Sequence, residues 1–393
     1  MRTFWRSAAA VAAAATAAVA LAAGCPAAAG SAGPAGKPGR TAHRAVTAVG
    51  GARGTVGGAE LTRPGVIVNY PSPRAPRVPK IPAGAFVVAD ATTGQVLAAM
   101  KPHALYGPAS TLKILTAVSL IPVLNPDATV VASKRAVSVE PDVVGLKLGY
   151  RYKIADLFRA LLLISGNDAA IALAEATGSL DKGIALMNAE AHHLQAYDTV
   201  ARQPNGLDAS GQHVSAYDEA LIARRALQIP AFLGYDRTPS AWFPITPKQR
   251  IELFNEDRLL TTYRGFIGGK TGWTTPAMAT YVGTARRQGH TLIVTLLHAV
   301  PGTLFTSATA MLNWGFRLDG KIRPVGQLVS PLPSPVAHRA APARPAPAAR
   351  RAATQVHASS SGGILMLFIV GGIVAGGLAV GAHGLARRRR SAP

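Results

Sequence analysis

Apolar positions in the middle of the chain recur with two periods. Ala85-Phe86-Val87-Val88-Ala89-Asp90 and Gln95-Val96-Leu97-Ala98-Ala99-Met100 are short apolar runs around Ala91-Thr92-Thr93-Gly94. That pattern predicts an antiparallel hairpin. Thr280 to Arg286 and Thr291 to His298 repeat it around Gln288-Gly289 and predict two further strands. Helical spacing dominates elsewhere. Leu112, Leu115 and Ala117 follow Pro108 in a helix that stops near Ile121, before Pro122. Ile154 to Ile164 reads as a buried helix, and a second runs from Asp168 to about Ala176. Asp181 to Leu194, Ser215 to Leu227 (capped by Ser215) and Thr303 to Phe316 are also helical, the last with Leu304, Ala308, Met311, Leu312 and Phe316 on one side. Asn125 to Lys153 is mixed, while Tyr197 to Val214 and Ile245 to Leu260 read as polar connections.

The two ends follow other patterns. Arg2 and Arg6, an apolar run from Ala8 to Ala23 and Ala27-Ala28-Ala29 predict a cleaved export signal over 1–30. Cys25, the single cysteine, leaves with that signal or, in Leu21-Ala22-Ala23-Gly24-Cys25, marks an imperfect lipoprotein cleavage box; either way the mature domain holds no disulfide. Residues 31–77 are Gly-, Pro- and Ala-rich and read as a flexible lead-in to a domain over 78–326. Residues 327–361 form a Pro/Ala/Arg-rich linker. The uncharged run 364–382 is expected to be a transmembrane helix, because roughly 19 residues at about 1.5 Å each span about 28 Å. The basic tail 383–393, with Arg387 to Arg390, predicts a cytoplasmic C-terminus and a domain outside the cell membrane.

The formal net charge of +22 over 393 residues changes this picture little, because many of the arginines sit in the C-terminal tail. No zinc-ligand spacing and no aromatic-interleaved basic motif accompanies it, so nucleic acid is not an expected partner. Neither a metal nor a cofactor is expected.

Three short stretches carry candidate chemistry. Ser110-Thr111-Leu112-Lys113 puts a hydroxyl and an amine three residues apart, on one face of a helix start. A lysine activates a serine only when neutral, which takes burial or a neighbouring cation. Alone, this spacing also suits a solvated helix start. Ser165-Gly166-Asn167 lies on a tight connection between two apolar helices; alone, it reads as turn chemistry with Asn167 as a cap. Gly268-Gly269-Lys270-Thr271-Gly272-Trp273-Thr274 puts a lysine among glycines beside a strand, where backbone can approach a ligand closely.

Together, in this order, the three are the Ser-x-x-Lys, Ser-x-Asn and Lys-Thr-Gly signature of penicillin-binding proteins and class A β-lactamases. The surrounding residues resemble the serine D-alanyl-D-alanine carboxypeptidases over about Pro79 to Leu318, including Leu186-Met187-Asn188 and Leu312-Asn313-Trp314-Gly315-Phe316. The resemblance implies an α/β fold of the β-lactamase/transpeptidase-like class, an antiparallel sheet flanked by helices plus an all-helical subdomain. It implies catalytic roles for Ser110, Lys113 and Ser165, and substrate binding by Asn167, Lys270, Thr271, Gly272 and Trp273. Its substrates would be peptidoglycan stem peptides, with β-lactam antibiotics as inhibitors. Trp273 stands where Tyr or His is more usual, and Met278 where Gly is common. No second β-rich domain precedes the linker.

Three other activities share these residues: a D,D-endopeptidase, a β-lactamase and a catalytically inactive penicillin-sensing or wall-binding module. A class A β-lactamase needs a glutamate for deacylation. The loop from Tyr197 to Val214 holds Asp198 and Asp208 but no Glu, which argues for an enzyme that penicillin blocks.

Overall fold

A computed structural model describes residues 55–333. The expected signal over 1–30, the linker beyond 333, the apolar run 364–382 and the tail 383–393 lie outside the described residues. Among the described residues, no helix is long and apolar enough to cross a membrane.

In chain order the elements are β1 (Val66–Ile67), β2 (Ala85–Asp90), β3 (Gln95–Met100), α1 (Leu112–Leu120), β4 (Thr129–Val131), α2 (Lys134–Val137), β5 (Arg151–Lys153), α3 (Ile154–Leu163), α4 (Asn167–Glu175) and α5 (Leu180–His193). There follow α6 (Ala216–Ala226), α7 (Pro230–Asp236), β6 (Ser240–Thr246), β7 (Gln249–Phe254), α8 (Leu259–Thr262), β8 (Phe266–Thr274), β9 (Met278–Arg287), β10 (His290–Ala299), α9 (Leu304–Leu318) and β11 (Gly326–Gln327). The main sheet is antiparallel, in the order β1-β3-β2-β10-β9-β8, with β11 sharing the outer edge of β3 with β1. Two short strands thus cover most of an edge that would otherwise offer unpaired backbone.

Successive strand side chains face opposite sides. Val87, Ala89, Ile293 and Leu297 join a core with α1, α3, α4 and α6. Phe86, Val88, Leu292, Val294 and Leu296 join another with Met311, Leu312 and Trp314 of α9. A sheet covered on both faces needs no polar side, and β2 is buried at all six positions. This is the antiparallel sheet flanked by helices that the resemblance implies.

Residues 55–77 are not a flexible lead-in. Leu61 and Ile67 are buried in the core, Ala59–Thr62 forms a 3-10 turn and β1 pairs with Met100 and Ala99 of β3. The signal is weak because a two-residue strand among Gly and Pro shows no alternation. At the other end the fold runs past 326: β11 pairs with β3, and Leu328 is buried. The helical part also carries two ribbons, β4–β5 and β6–β7. β6–β7 overlaps the stretch expected to be a polar connection. Pro244 inside β6 and the exposed Trp242 and Phe254 hide its alternation, although Phe243, Ile245 and Leu253 are buried.

Candidate active site

Ser110 lies in a 3-10 turn, Ala109–Thr111, that leads directly into α1. Ala109 is held at φ 47°, in the left-handed region that a side chain disfavours. Gly206 permits this turn, because any Cβ there would overlap the carbonyl of Ala109. The turn is also tied from the sheet side by Thr280 Oγ1, which donates to the Pro108 carbonyl at 2.8 Å.

Lys113 lies three residues beyond Ser110 and is wholly buried. Its Nζ lies 2.8 Å from Ser110 Oγ, 2.7 Å from Asn167 Oδ1 and 2.5 Å from the Asn205 carbonyl. Burial pushes the amine well below its ordinary pKa, and the charge of Lys270 pushes it further; Asp142, Glu256 and Asp168 act in the opposite direction. A neutral amine has two N–H donors and one lone pair. Asn167 and Asn205 offer only acceptors to it, so the lone pair is left for the hydroxyl proton of Ser110.

Ser165 closes the α3–α4 connection at φ 63°. Its hydroxyl is buried and makes no hydrogen bond among the described residues. Asn167 is the first residue of α4, with Gly166 at the cap position, so Asn167 is not the helix cap. Its side chain faces Lys113 instead, and Nδ2 donates to the Glu140 carbonyl at 2.9 Å. That network sets the amide orientation. Asp168, which sequence reasoning passed over, accepts from the backbone N–H groups of Val144, Gly145 and Leu146 at 2.9, 2.8 and 3.0 Å. It thereby fixes the loop that bears Glu140 and Asp142.

β8 brings the third stretch to the same place. Lys270 is 2% exposed; its Nζ donates to the Thr271 carbonyl at 2.9 Å and lies 3.9 Å from Glu256 Oε2. Burial lowers its pKa, while Glu256, Asp236 and Asp257 hold it up. The two preceding glycines explain those carboxylates. A Cβ at Gly268 would overlap Asp236 Oδ2, and one at Gly269 would lie 2.6 Å from Asp257 Oδ2. Gly272 lets the strand close on the nucleophile: a Cβ there would lie 2.6 Å from the Ser110 backbone nitrogen. Thr271 is half-buried beside it and pairs with Tyr281 of β9, and Trp273 is 61% exposed at the mouth. Met278 takes φ 57°, a conformation that accounts for glycine being common at this position.

Ser110, Lys113 and Asn167 are therefore in direct contact, and Gly272 of β8 packs against the Ser110 turn. The Asn205 carbonyl and the carboxylates of Asp236 and Asp257 escaped sequence reasoning. They act through tertiary contact, and only the paired glycines before Lys270 hint at them. Among the described residues, the one group of three or more metal-ligating side chains whose atoms lie within 4.8 Å of one another is Asp90, His290 and Asp319. It sits on β2, β10 and the end of α9 rather than on the elements that carry Ser110.

Residues 72–300 match the D-alanyl-D-alanine carboxypeptidase family model. The D-alanyl-D-alanine carboxypeptidase DacB2 of Mycobacterium tuberculosis is 39% identical over 248 residues, which is 62% of this chain and 85% of that protein. For DacD of Escherichia coli the identity is 33% over 258 residues, 62% of this chain and 65% of that protein, just under two thirds of its length. A crystal structure of the M. tuberculosis D-alanyl-D-alanine carboxypeptidase superimposes with a TM-score of 0.63 at 37% identity, covering 66% of this chain and 99% of that one. That of a Streptomyces DD-transpeptidase gives a TM-score of 0.59 at 27% identity, covering 62% and 100%. The chain belongs to the D-alanyl-D-alanine carboxypeptidase family.

Proposed function

We propose that this chain is a serine D-alanyl-D-alanine carboxypeptidase that removes the terminal D-Ala from peptidoglycan stem peptides. The observation that carries this reading is the buried Lys113 amine, within 3 Å of Ser110 Oγ and otherwise surrounded by acceptors.

Ser110 Oγ attacks the carbonyl carbon of the penultimate D-Ala while its proton passes to Lys113 Nζ. The tetrahedral oxyanion is held by the backbone N–H groups of Ser110 and Trp273, each worth about 3 kcal/mol of transition-state stabilisation. The C–N bond then breaks, the departing D-Ala nitrogen takes a proton through Ser165, and an ester on Ser110 remains. Water hydrolyses that ester and frees the shortened peptide. Asn167 holds the substrate amide. Lys270 and Thr271 hold the terminal carboxylate, and Gly272 and Trp273 form the strand edge along which the peptide lies.

Penicillin acylates the same serine and stays there. Deacylation would need a carboxylate placed to activate water, and the acids of the 197–214 loop are otherwise engaged: Asp198 Oδ2 lies 2.7 Å from His103 Nδ1, and Asp208 accepts from Thr274 at 3.0 Å. This favours a penicillin-inhibited enzyme over a β-lactamase. The export signal over 1–30, the apolar run 364–382 and the basic tail support a single-pass membrane protein whose catalytic domain faces the wall.

The test is D-alanine release from a diacyl-Lys-D-Ala-D-Ala peptide by the full chain in neutral detergent, beside Ser110→Ala. Release by the parent alone is the expected result. No release by either sinks the carboxypeptidase reading and turns attention to cross-linked dimers, the substrate of an endopeptidase.

A further inference from the structure

The feature that catalysis leaves unused is a basic hollow of about 840 Å³ at the far end of β8, lined by Arg264, Arg286, Arg287 and Arg317. It lies by Gly265, whereas Ser110 faces Gly272. Seven residues of extended strand separate the two by roughly 20 Å. Arg287 is held rigidly: its guanidinium lies 4.4 Å from the centre of the Tyr263 ring and 5.0 Å from that of Phe316, and its Nε donates to the Arg264 carbonyl at 3.1 Å. The other three arginines are exposed. A second hollow, of about 490 Å³, continues across Gly265 and Arg286 to Arg237.

No carboxylate balances this charge locally. From Arg258 to Leu318 the sequence contains neither Asp nor Glu. Among the described residues, the arginines that pair with carboxylates are others: Arg63, Arg135, Arg159, Arg225 and Arg323. Nor does the chain carry an acidic segment that would fill the hollow, because all its carboxylate side chains lie between Glu60 and Asp319. The charge of the hollow is therefore left open to solvent ions or to an anionic partner.

Its chemistry follows from the residue type. All four cations are arginines, whose planar, weakly hydrated forks bind phosphate oxygens in pairs. The concave shape suits phosphates strung along a flexible chain better than a flat bilayer. We infer that this hollow is a binding site for a phosphodiester-bearing polymer of the cell wall, which holds the enzyme where its substrate is made and trimmed. The choice of a wall polymer rests on the proposed function, whereas binding of the polymer and D-Ala release are read out separately.

The experiment measures binding of poly(glycerol phosphate) to the full chain in neutral detergent. The triple variant Arg264→Gln/Arg286→Gln/Arg317→Gln is compared with Arg74→Gln/Arg135→Gln/Arg151→Gln, which removes the same charge from other exposed sites. The hollow variant is expected to lose at least about tenfold in affinity and the control less than about twofold, with both unfolding at the parent temperature. D-Ala release from a small soluble peptide stays unchanged in both. Equal losses in the two triples would reduce the effect to net charge and overturn the site. Undiminished binding by the hollow variant, or equal binding of polyglutamate by the parent, would also overturn it. Binding of phosphatidylglycerol vesicles without binding of the polymer would overturn the wall polymer as the occupant. If the triple variant misfolds, Arg317→Gln alone, on the exposed side of α9, is expected to cost about threefold, and no loss there counts against the site.

Discussion

The hydroxyl of Thr111, next to the nucleophile, lies 2.6 Å from Glu219 Oε1 and 2.6 Å from the Pro108 carbonyl. One hydroxyl proton cannot serve both oxygens. Glu219 is buried without a cation, and burial lifts its pKa from 4.5 to about 7. A protonated Glu219 resolves the conflict: its O–H donates to Thr111, and Thr111 donates to Pro108. The nucleophile turn is thus tied to α6 by a relay that works only with the proton in place. As pH rises from 4.5 to about 7, the unfolded chain releases this proton while the folded one keeps it, so stability falls by up to about 3 kcal/mol. Glu219→Gln keeps the donor and removes the titration. Urea unfolding should show parent and variant alike near about pH 4 and the variant more stable by about 2–3 kcal/mol near about pH 8. Parallel pH profiles would refute the protonated relay.

The reactivity of Ser110 should track the charges around Lys113. Because Lys270 lowers the pKa of Lys113 and Asp142 raises it, removing either charge has a predictable sign. Acylation by a radiolabelled penicillin rises with pH as Lys113 loses its proton. Lys270→Gln should move that acidic limb to higher pH, and Asp142→Asn to lower pH. Replacing the base itself, Lys113→Met, should slow acylation by roughly 10²–10⁴-fold on the plateau above that limb, with the difference shrinking towards acid as the parent's amine takes up its proton. Shifts of the same sign in the two charge variants would show that the limb does not belong to Lys113.

Asp257 gives Lys270 a pH dependence of its own. It accepts from Tyr281 at 2.8 Å, titrates near 6 because it is buried, and its charge supports that of Lys270. Above about 6 Asp257 is ionised, and below it the support is gone. In Asp257→Asn the alkaline limit for binding the substrate carboxylate should therefore move to lower pH. KM should exceed the parent value about threefold or more at about pH 9 and match it at about pH 5, with kcat much less affected. A uniform rise in KM at all pH values would assign Asp257 a packing role only.

Ser110, Lys113 and Asn167, which the structure brings into contact, were legible as candidates because their short stretches occur in the order of a family signature, although each alone reads as ordinary helix-start or turn chemistry. The three-residue step from Ser110 to Lys113 puts both on one face of a helix start, while the turn itself depends on Gly206 and Thr280 far along the chain. The hairpin β2–β3 and the pair β9–β10 were legible as short apolar runs separated by turn residues. The β6–β7 hairpin was obscured by Pro244 inside β6 and by the exposed Trp242 and Phe254, which sit on the face that also carries Glu252 and Arg250. β1 was too short to show a period. Asn205 contributes a backbone carbonyl, which every residue possesses, so no sequence signal marks it. The carboxylates behind Lys270 come from α7 and from the turn before α8, linked to the glycines of β8 only by the space those glycines leave open.

Gly272 shows how narrow that space is. A methyl group there would lie 2.6 Å from the Ser110 nitrogen and 3.0 Å from that of Thr111, and would overlap Thr280 Oγ1. None of these is the tip of a flexible chain: two are backbone atoms, and the third is fastened to the Pro108 carbonyl. Gly272→Ala must therefore push β8 away from the Ser110 turn. The backbone N–H of Trp273 would retreat from the oxyanion with it, and a lost oxyanion donor costs about 10²–10³-fold in rate. Penicillin labelling and D-Ala release should both fall by about that factor. The fold should survive, because β8 is the edge strand of the main sheet and only its pairing with β9 has to give. Gly272→Ala with parental acylation and an unchanged unfolding temperature would mean that β8 and the nucleophile turn are less tightly apposed than this packing requires.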